Sequence, residues 1–95
     1  MTRRAAKVDA NQPAIVAALR QAGASVAPLH MVGSGFPDLA VGYRGVNHLL
    51  EVKDGAKPPS ARKLTPDETE WHATWRGSVR IVSSVPEALA VLGIR

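Results

Sequence analysis

The chain has 95 residues, 45% of them apolar, and 15 of its residues are alanine, so one domain with a modest core is expected. Twelve Lys+Arg stand against eight Asp+Glu, a formal net charge of +4, and cysteine is absent. That excludes an acidic partner-mimic, a disulfide scaffold and a cysteine-based zinc site, while a nucleic-acid partner is admitted.

Taken in chain order, residues 1–8 read as a basic N-terminal arm and residues 9–95 as a single domain. The start, MTRRAAKVDA, lacks the apolar stretch of a secretory leader, and no apolar run reaches membrane-spanning length. A soluble, cytoplasmic chain is the expectation. From Asn11 to Gly23 the spacing predicts a helix, with Ile15, Val16, Leu19 and Ala22 on one face. Asn11 is placed to cap it, Pro13 fits only its first turn, and Gly23 sits at the stop. Ala24–His30 reads as an edge strand because of Pro28. Gly33-Ser34-Gly35 is a loop. Asp38–Tyr43 and Val46–Lys53 are apolar runs flanking Arg44-Gly45, which predicts a hairpin. Asp54–Lys63 holds glycine, two prolines and three basic residues and reads as a mobile loop. Thr65-Pro66-Asp67-Glu68 is a capping box opening a helix to about Trp75, which Gly77 stops. Val79–Ser83 is a short strand, and Ser84-Val85-Pro86-Glu87 repeats the capping pattern before a helix that ends ahead of Gly93. The order is α-β-β-β-α-β-α, an α/β fold with a mixed central sheet flanked by helices.

The sharpest feature is Pro37-Asp38 followed, thirteen residues on, by Glu51-Val52-Lys53. In a hairpin those two ends lie side by side. Period-two alternation puts Glu51 and Lys53 on one sheet face and Leu50 and Val52 on the other. Two carboxylates and an amine then share one pocket. That trio suits metal-assisted phosphodiester hydrolysis: hard oxygens hold a hydrated Mg²⁺, and an ammonium stabilises charge on phosphate. The plainer reading makes Asp38 a turn cap and Glu51 and Lys53 an ion pair on a solvated face.

The pattern, set in that element order, resembles the PD-(D/E)XK nuclease superfamily over about residues 9–92. The Gly33-Ser34-Gly35-Phe36-Pro37-Asp38 loop, the LLEVK strand (Leu49–Lys53) and the LTPDE helix start (Leu64–Glu68) look most like the small stand-alone VRR-NUC domains of phages and prophages. Holliday-junction resolvases and restriction endonucleases share that core. The resemblance implies a restriction-endonuclease-like core and a Mg²⁺- or Mn²⁺-dependent DNA endonuclease. It also implies a homodimer acting on branched DNA, encoded by a phage or a bacterial host, with no organic cofactor and no membrane partner. By the family pattern, Asp38 and Glu51 are metal ligands, the Val52 backbone carbonyl is another, and Lys53 is the catalytic lysine. The family often adds an acid on the first helix, just ahead of its first large apolar residue. Here that register holds Gln12, with Asn11 and Asp9 nearby, so an uncharged amide stands where a carboxylate is expected, and the amide carbonyl of Gln12 or Asn11 is the candidate further metal ligand.

Lys57, Arg62 and Lys63 follow the site strand and are candidate DNA-phosphate contacts; Gly33, Ser34 and Gly35 are candidates for close backbone approach to DNA. Arg3, Arg4 and Lys7 are placed to touch phosphates, though a loose tail is the plainer reading. Arg44 falls at the far end of the hairpin from Lys53. Trp71 and Trp75 share a helix face and are expected to pack in the core or a dimer interface. His48 is expected on the packed sheet face, and His30 lies close in sequence to the Asp38 loop. Two other functions compete: a non-catalytic DNA-binding module retaining the fold, or a nicking nuclease without branch preference. A protein-interaction domain with incidental charge is a further class.

Overall fold

A computed structural model describes residues 8–94; the basic arm, with Arg3, Arg4 and Lys7, falls outside them apart from the exposed Val8. The elements are α1 (Gln12–Gln21), β1 (Ser25–Pro28), β2 (Leu39–Tyr43), β3 (Val46–Val52), α2 (Pro66–Thr74), β4 (Arg80–Val82) and α3 (Val85–Val91). Their order is the one predicted. The four strands form one sheet in the order β1-β2-β3-β4, antiparallel except for the parallel β3–β4 pair.

The β2–β3 hairpin closes on Arg44-Gly45, with Tyr43 paired to Val46. Both turn residues take positive φ, +50° and +79°, which matches the twist of the strands it joins. The Arg44 guanidinium rests 5.4 Å from the Tyr43 ring centre, away from the site.

Alternation then sorts the two sheet faces. Leu39, Val41, Leu50, Val52 and Val82 point one way, into a core with Ile15, Val16 and Leu19 of α1 and Ala88 of α3. His48 pairs with Val41 on that face, as expected. The opposite face carries Ala40, Leu49, Glu51 and Ile81. The parallel β3–β4 pairing requires a crossover, and the crossover carries α2, whose Glu68 and His72 meet Lys53 and Glu51 on this second face.

Three local expectations differ from the structure. Asn11 is at the N-cap of α1 but does not cap it; its Nδ2 donates instead to the carbonyls of Lys53 (3.0 Å) and Ser83 (3.2 Å), tying the helix start to the ends of β3 and β4. The 54–63 segment is not featureless: Pro59–Ala61 forms a 3-10 turn, with Ala61 and Arg62 amides bonded back to Pro58 and Pro59. The second capping box is only half formed, because the Glu87 carboxylate accepts from the Ser83 amide (2.7 Å) rather than from that of Ser84. Among the described residues no helix is long and apolar enough to cross a membrane.

Candidate active site

Asp38 sits where the β2–β3 ladder runs out. Its amide donates to Leu50 O (3.0 Å), and its carboxylate Oδ2 accepts from the Val52 amide (2.7 Å), continuing the ladder with a side chain. That bond aims the carboxylate at the next residue along β3, Glu51. In an extended strand the amide and carbonyl of one residue leave on the same side, so the Val52 carbonyl is directed toward Asp38 too. The Lys53 amide donates to Val82 O (2.9 Å), which anchors the end of β3 on β4.

The three predicted residues therefore converge. Asp38 is 7% exposed and Glu51 1%. Burial, then the facing Asp38 carboxylate, then Glu68 push the Glu51 carboxyl up to about 10. Asp38 is raised as well, chiefly by burial and despite its bonds to Glu51 and the Val52 amide. Both shifts favour a protonated carboxyl within the pair. A divalent cation held there would compensate the same charge and would compete with protons for it.

Among the described residues Glu51 Oε1 is buried with no hydrogen-bond partner. Together with Asp38 and the Val52 carbonyl it offers hard oxygens. Among the described residues no group of three or more His, Cys, Asp or Glu is arranged around a common ion position. Two carboxylates completed by neutral oxygens and water fit Mg²⁺, which keeps much of its hydration.

Two further site residues lie on α2. Glu68 Oε1 accepts from Lys53 Nζ at 2.7 Å and from the Thr65 amide at 2.9 Å. His72 Nε2 faces Glu51 Oε1 across 3.8 Å, and neither atom has a hydrogen-bond partner among the described residues. Burial pulls the Lys53 ammonium down, but Glu68, Glu51 and Asp9 outweigh it and the net shift is upward. Burial likewise raises Glu68, yet Lys53 and the Thr65 amide carry it below its ordinary value. In the sequence Glu68 is fully accounted for as a helix cap. The four-residue spacing to His72, which puts both on one helix face, is the signal that marks a second role.

The first-helix residues fall differently from expectation. Gln12 is 4% exposed and its Oε1 is unpartnered, but it lines a groove with Val8, Val16, Pro28 and His30, whose Nδ1 is also buried and unpartnered. The Asn11 amide nitrogen is spent on Lys53 and Ser83. Near the first helix, the acid whose charge acts on both Asp38 and Lys53 is Asp9, ahead of α1.

The candidate DNA contacts are scattered. Lys57 Nζ lies 3.8 Å from Asp9 Oδ1, and Lys63 is exposed. Arg62 is half-buried, with an unpartnered Nε, in a pocket shared with Asn11, Asp54, Ser83 and Glu87. Ser34 is exposed but Gly33 is buried. Gly35 makes its close approach to α2: a Cβ there would drive into the Asp67 carbonyl. That places Phe36 against Trp71 (5.2 Å) and Trp75 (6.0 Å), and the two indoles stack at 4.6 Å. The tryptophans stack on each other and pack against Phe36 and do not join the buried core expected for them, and Trp75 stays 43% exposed.

Compared with known proteins, the chain matches no family model, no curated protein and no solved structure. Function rests on the site.

Proposed function

We propose that the chain is a Mg²⁺- or Mn²⁺-dependent DNA endonuclease that hydrolyses phosphodiester bonds, with a restriction-endonuclease-like core and a preference for branched DNA. The observation that carries this reading is the convergence of the buried Asp38 and Glu51 carboxylates beside the Lys53 ammonium, with Glu51 Oε1 unpartnered. Asp38, Glu51 and the Val52 carbonyl would hold the cation, which when bound lowers the pKa of a water and offsets charge on the phosphate. Lys53 orients the attacking water and stabilises charge as it builds on the phosphate oxygens. The water oxygen bonds to phosphorus as one P–O ester bond breaks. The products are a phosphate monoester and a free hydroxyl. Branch preference comes from the resemblance to junction resolvases. Cutting opposed strands needs two sites, so two symmetric copies of the chain are part of the proposal.

One observation favours a second reading, a catalytically silent DNA-binding module: the first turn of α1 has no acidic residue. Labelled four-way junction, flap, splayed arm, duplex and single-stranded DNA, each with Mg²⁺, Mn²⁺ or EDTA, separate the two. Metal-dependent symmetric cuts in the junction are expected, reduced at least ~10²-fold in Glu51→Ala and Asp38→Ala, with DNA binding retained. Binding without cleavage in either metal establishes the silent module.

A further inference from the structure

Glu51 and Lys53 stand two apart on β3, a separation of about 6.6 Å along a strand. Glu68 and His72 stand four apart on α2, about 6.0 Å along a helix. The near match lets one turn of α2 address both strand residues at once: Glu68 on Lys53 at 2.7 Å and His72 opposite Glu51 at 3.8 Å. Glu68 is itself fixed, because the oxygen that binds Lys53 also accepts the Thr65 amide. The lysine has another carboxylate in reach, Glu51 Oε2 at 3.9 Å. A lysine side chain is flexible and its ammonium is a point charge. Without Glu68 it would close on Glu51 Oε2, one of the oxygens left for a cation.

We propose that Glu68 is a positioning residue of the site: anchored by the helix cap, it holds the Lys53 ammonium off Glu51 and keeps the Glu51 carboxylate open to a divalent ion. This rests on the endonuclease reading and adds to it the residue that keeps the lysine and the cation from competing.

Glu68→Gln isolates the effect. The amide oxygen still accepts from the Thr65 amide, since glutamine serves in a capping box as glutamate does, but the negative charge that faces the Lys53 ammonium is gone. Mn²⁺ binding is measured by calorimetry on the wild type, Glu68→Gln, Lys53→Met and the double variant. The expected result is a loss of about tenfold in Mn²⁺ affinity for Glu68→Gln, within the range of coupling between charges in contact. That loss disappears in the Lys53→Met background. An equal loss in both backgrounds means that Glu68 acts by its own charge on the ion, and overturns the proposal. A wild type that binds no Mn²⁺ overturns the endonuclease reading, and this proposal with it. Should Glu68→Gln not fold, NMR of the wild type decides: a Lys53 ammonium resonance protected from exchange supports the anchor, and one exchanging like Lys63 overturns it.

Discussion

Glu51 carries the largest electrostatic cost at the residue scale. Its carboxyl is pushed up to about 10, it is 1% exposed, and its Oε1 has no hydrogen-bond partner among the described residues. The sign of its effect on stability follows from linkage. Between its ordinary 4.5 and its folded value of about 10, the folded chain holds a proton that the unfolded chain has released. Stability therefore falls as pH rises through that window. The melting temperature of the metal-free chain is expected to drop from pH 5 to pH 9, and to drop much less in Glu51→Gln. At pH 8 that variant should be about 1–3 kcal/mol more stable than the wild type, the scale of relieving a poorly paired buried group. Thermal denaturation across pH measures both. Millimolar Mg²⁺ should raise the wild-type melting temperature more at pH 8 than at pH 5, because the ion competes with the proton. A metal effect that is equal at both values counts against Asp38 and Glu51 as ligands. Asp38, Glu51 and Lys53 were legible in the sequence because hairpin register and period-two alternation are local rules. The Glu51–His72 approach was not, because it joins residues on two elements whose mutual placement only packing sets.

α2 governs the site at the element scale. Its start is written in the sequence: Thr65 Oγ1 accepts from the Glu68 amide (3.2 Å), and the Glu68 carboxylate returns the bond to the Thr65 amide. Thr65→Ala removes the first bond and should cost about 1 kcal/mol, read as a fall of several degrees in melting temperature. The lock on Lys53 should survive it. Gly35 has a stricter requirement. It holds a φ of +79° and lies against the Asp67 backbone, so Gly35→Ala strains the loop and pushes α2 outward. The loss should exceed that of Thr65→Ala, and it should be accompanied by changed tryptophan fluorescence, because Phe36, Trp71 and Trp75 pack at this junction. An unchanged emission spectrum would show that α2 docks independently of this loop. The sequence marks Gly35 only as flexible; that its neighbour is α2 depends on the crossover bringing the helix back over the sheet.

The whole molecule is a sheet with one heavily buried apolar face and one lightly covered face that carries charge. Leu39 and Leu50 pair across β2 and β3 at the centre of the first face, both with 0% exposure. Leu50→Ala should cost about 2–5 kcal/mol, a large share of the roughly 5–15 kcal/mol that a domain holds, and denaturant titration should show it close to unfolding. On the second face Ile81 is 50% exposed beside the buried Glu51. The net charge of +4 belongs at this scale too. If the chain grips DNA phosphates, affinity for DNA should fall steeply and linearly in log–log form as salt rises. A flat dependence would point to a protein partner held by apolar contacts.

By itself the sequence determined the kind and order of the elements, the Arg44-Gly45 hairpin, the helix start at Thr65 and the juxtaposition of Asp38 with Glu51 and Lys53. Each of these follows from backbone geometry acting over a few residues or across one tight turn. Tertiary structure alone decided that Glu68 holds Lys53, that His72 faces Glu51, that Asn11 bonds to two strand ends instead of capping its helix, and that Asp9, ahead of α1, comes close enough to act on Asp38 and Lys53. Those outcomes depend on which sheet face each helix covers, and that is set by burial of the shared core, to which no short stretch of residues holds the key.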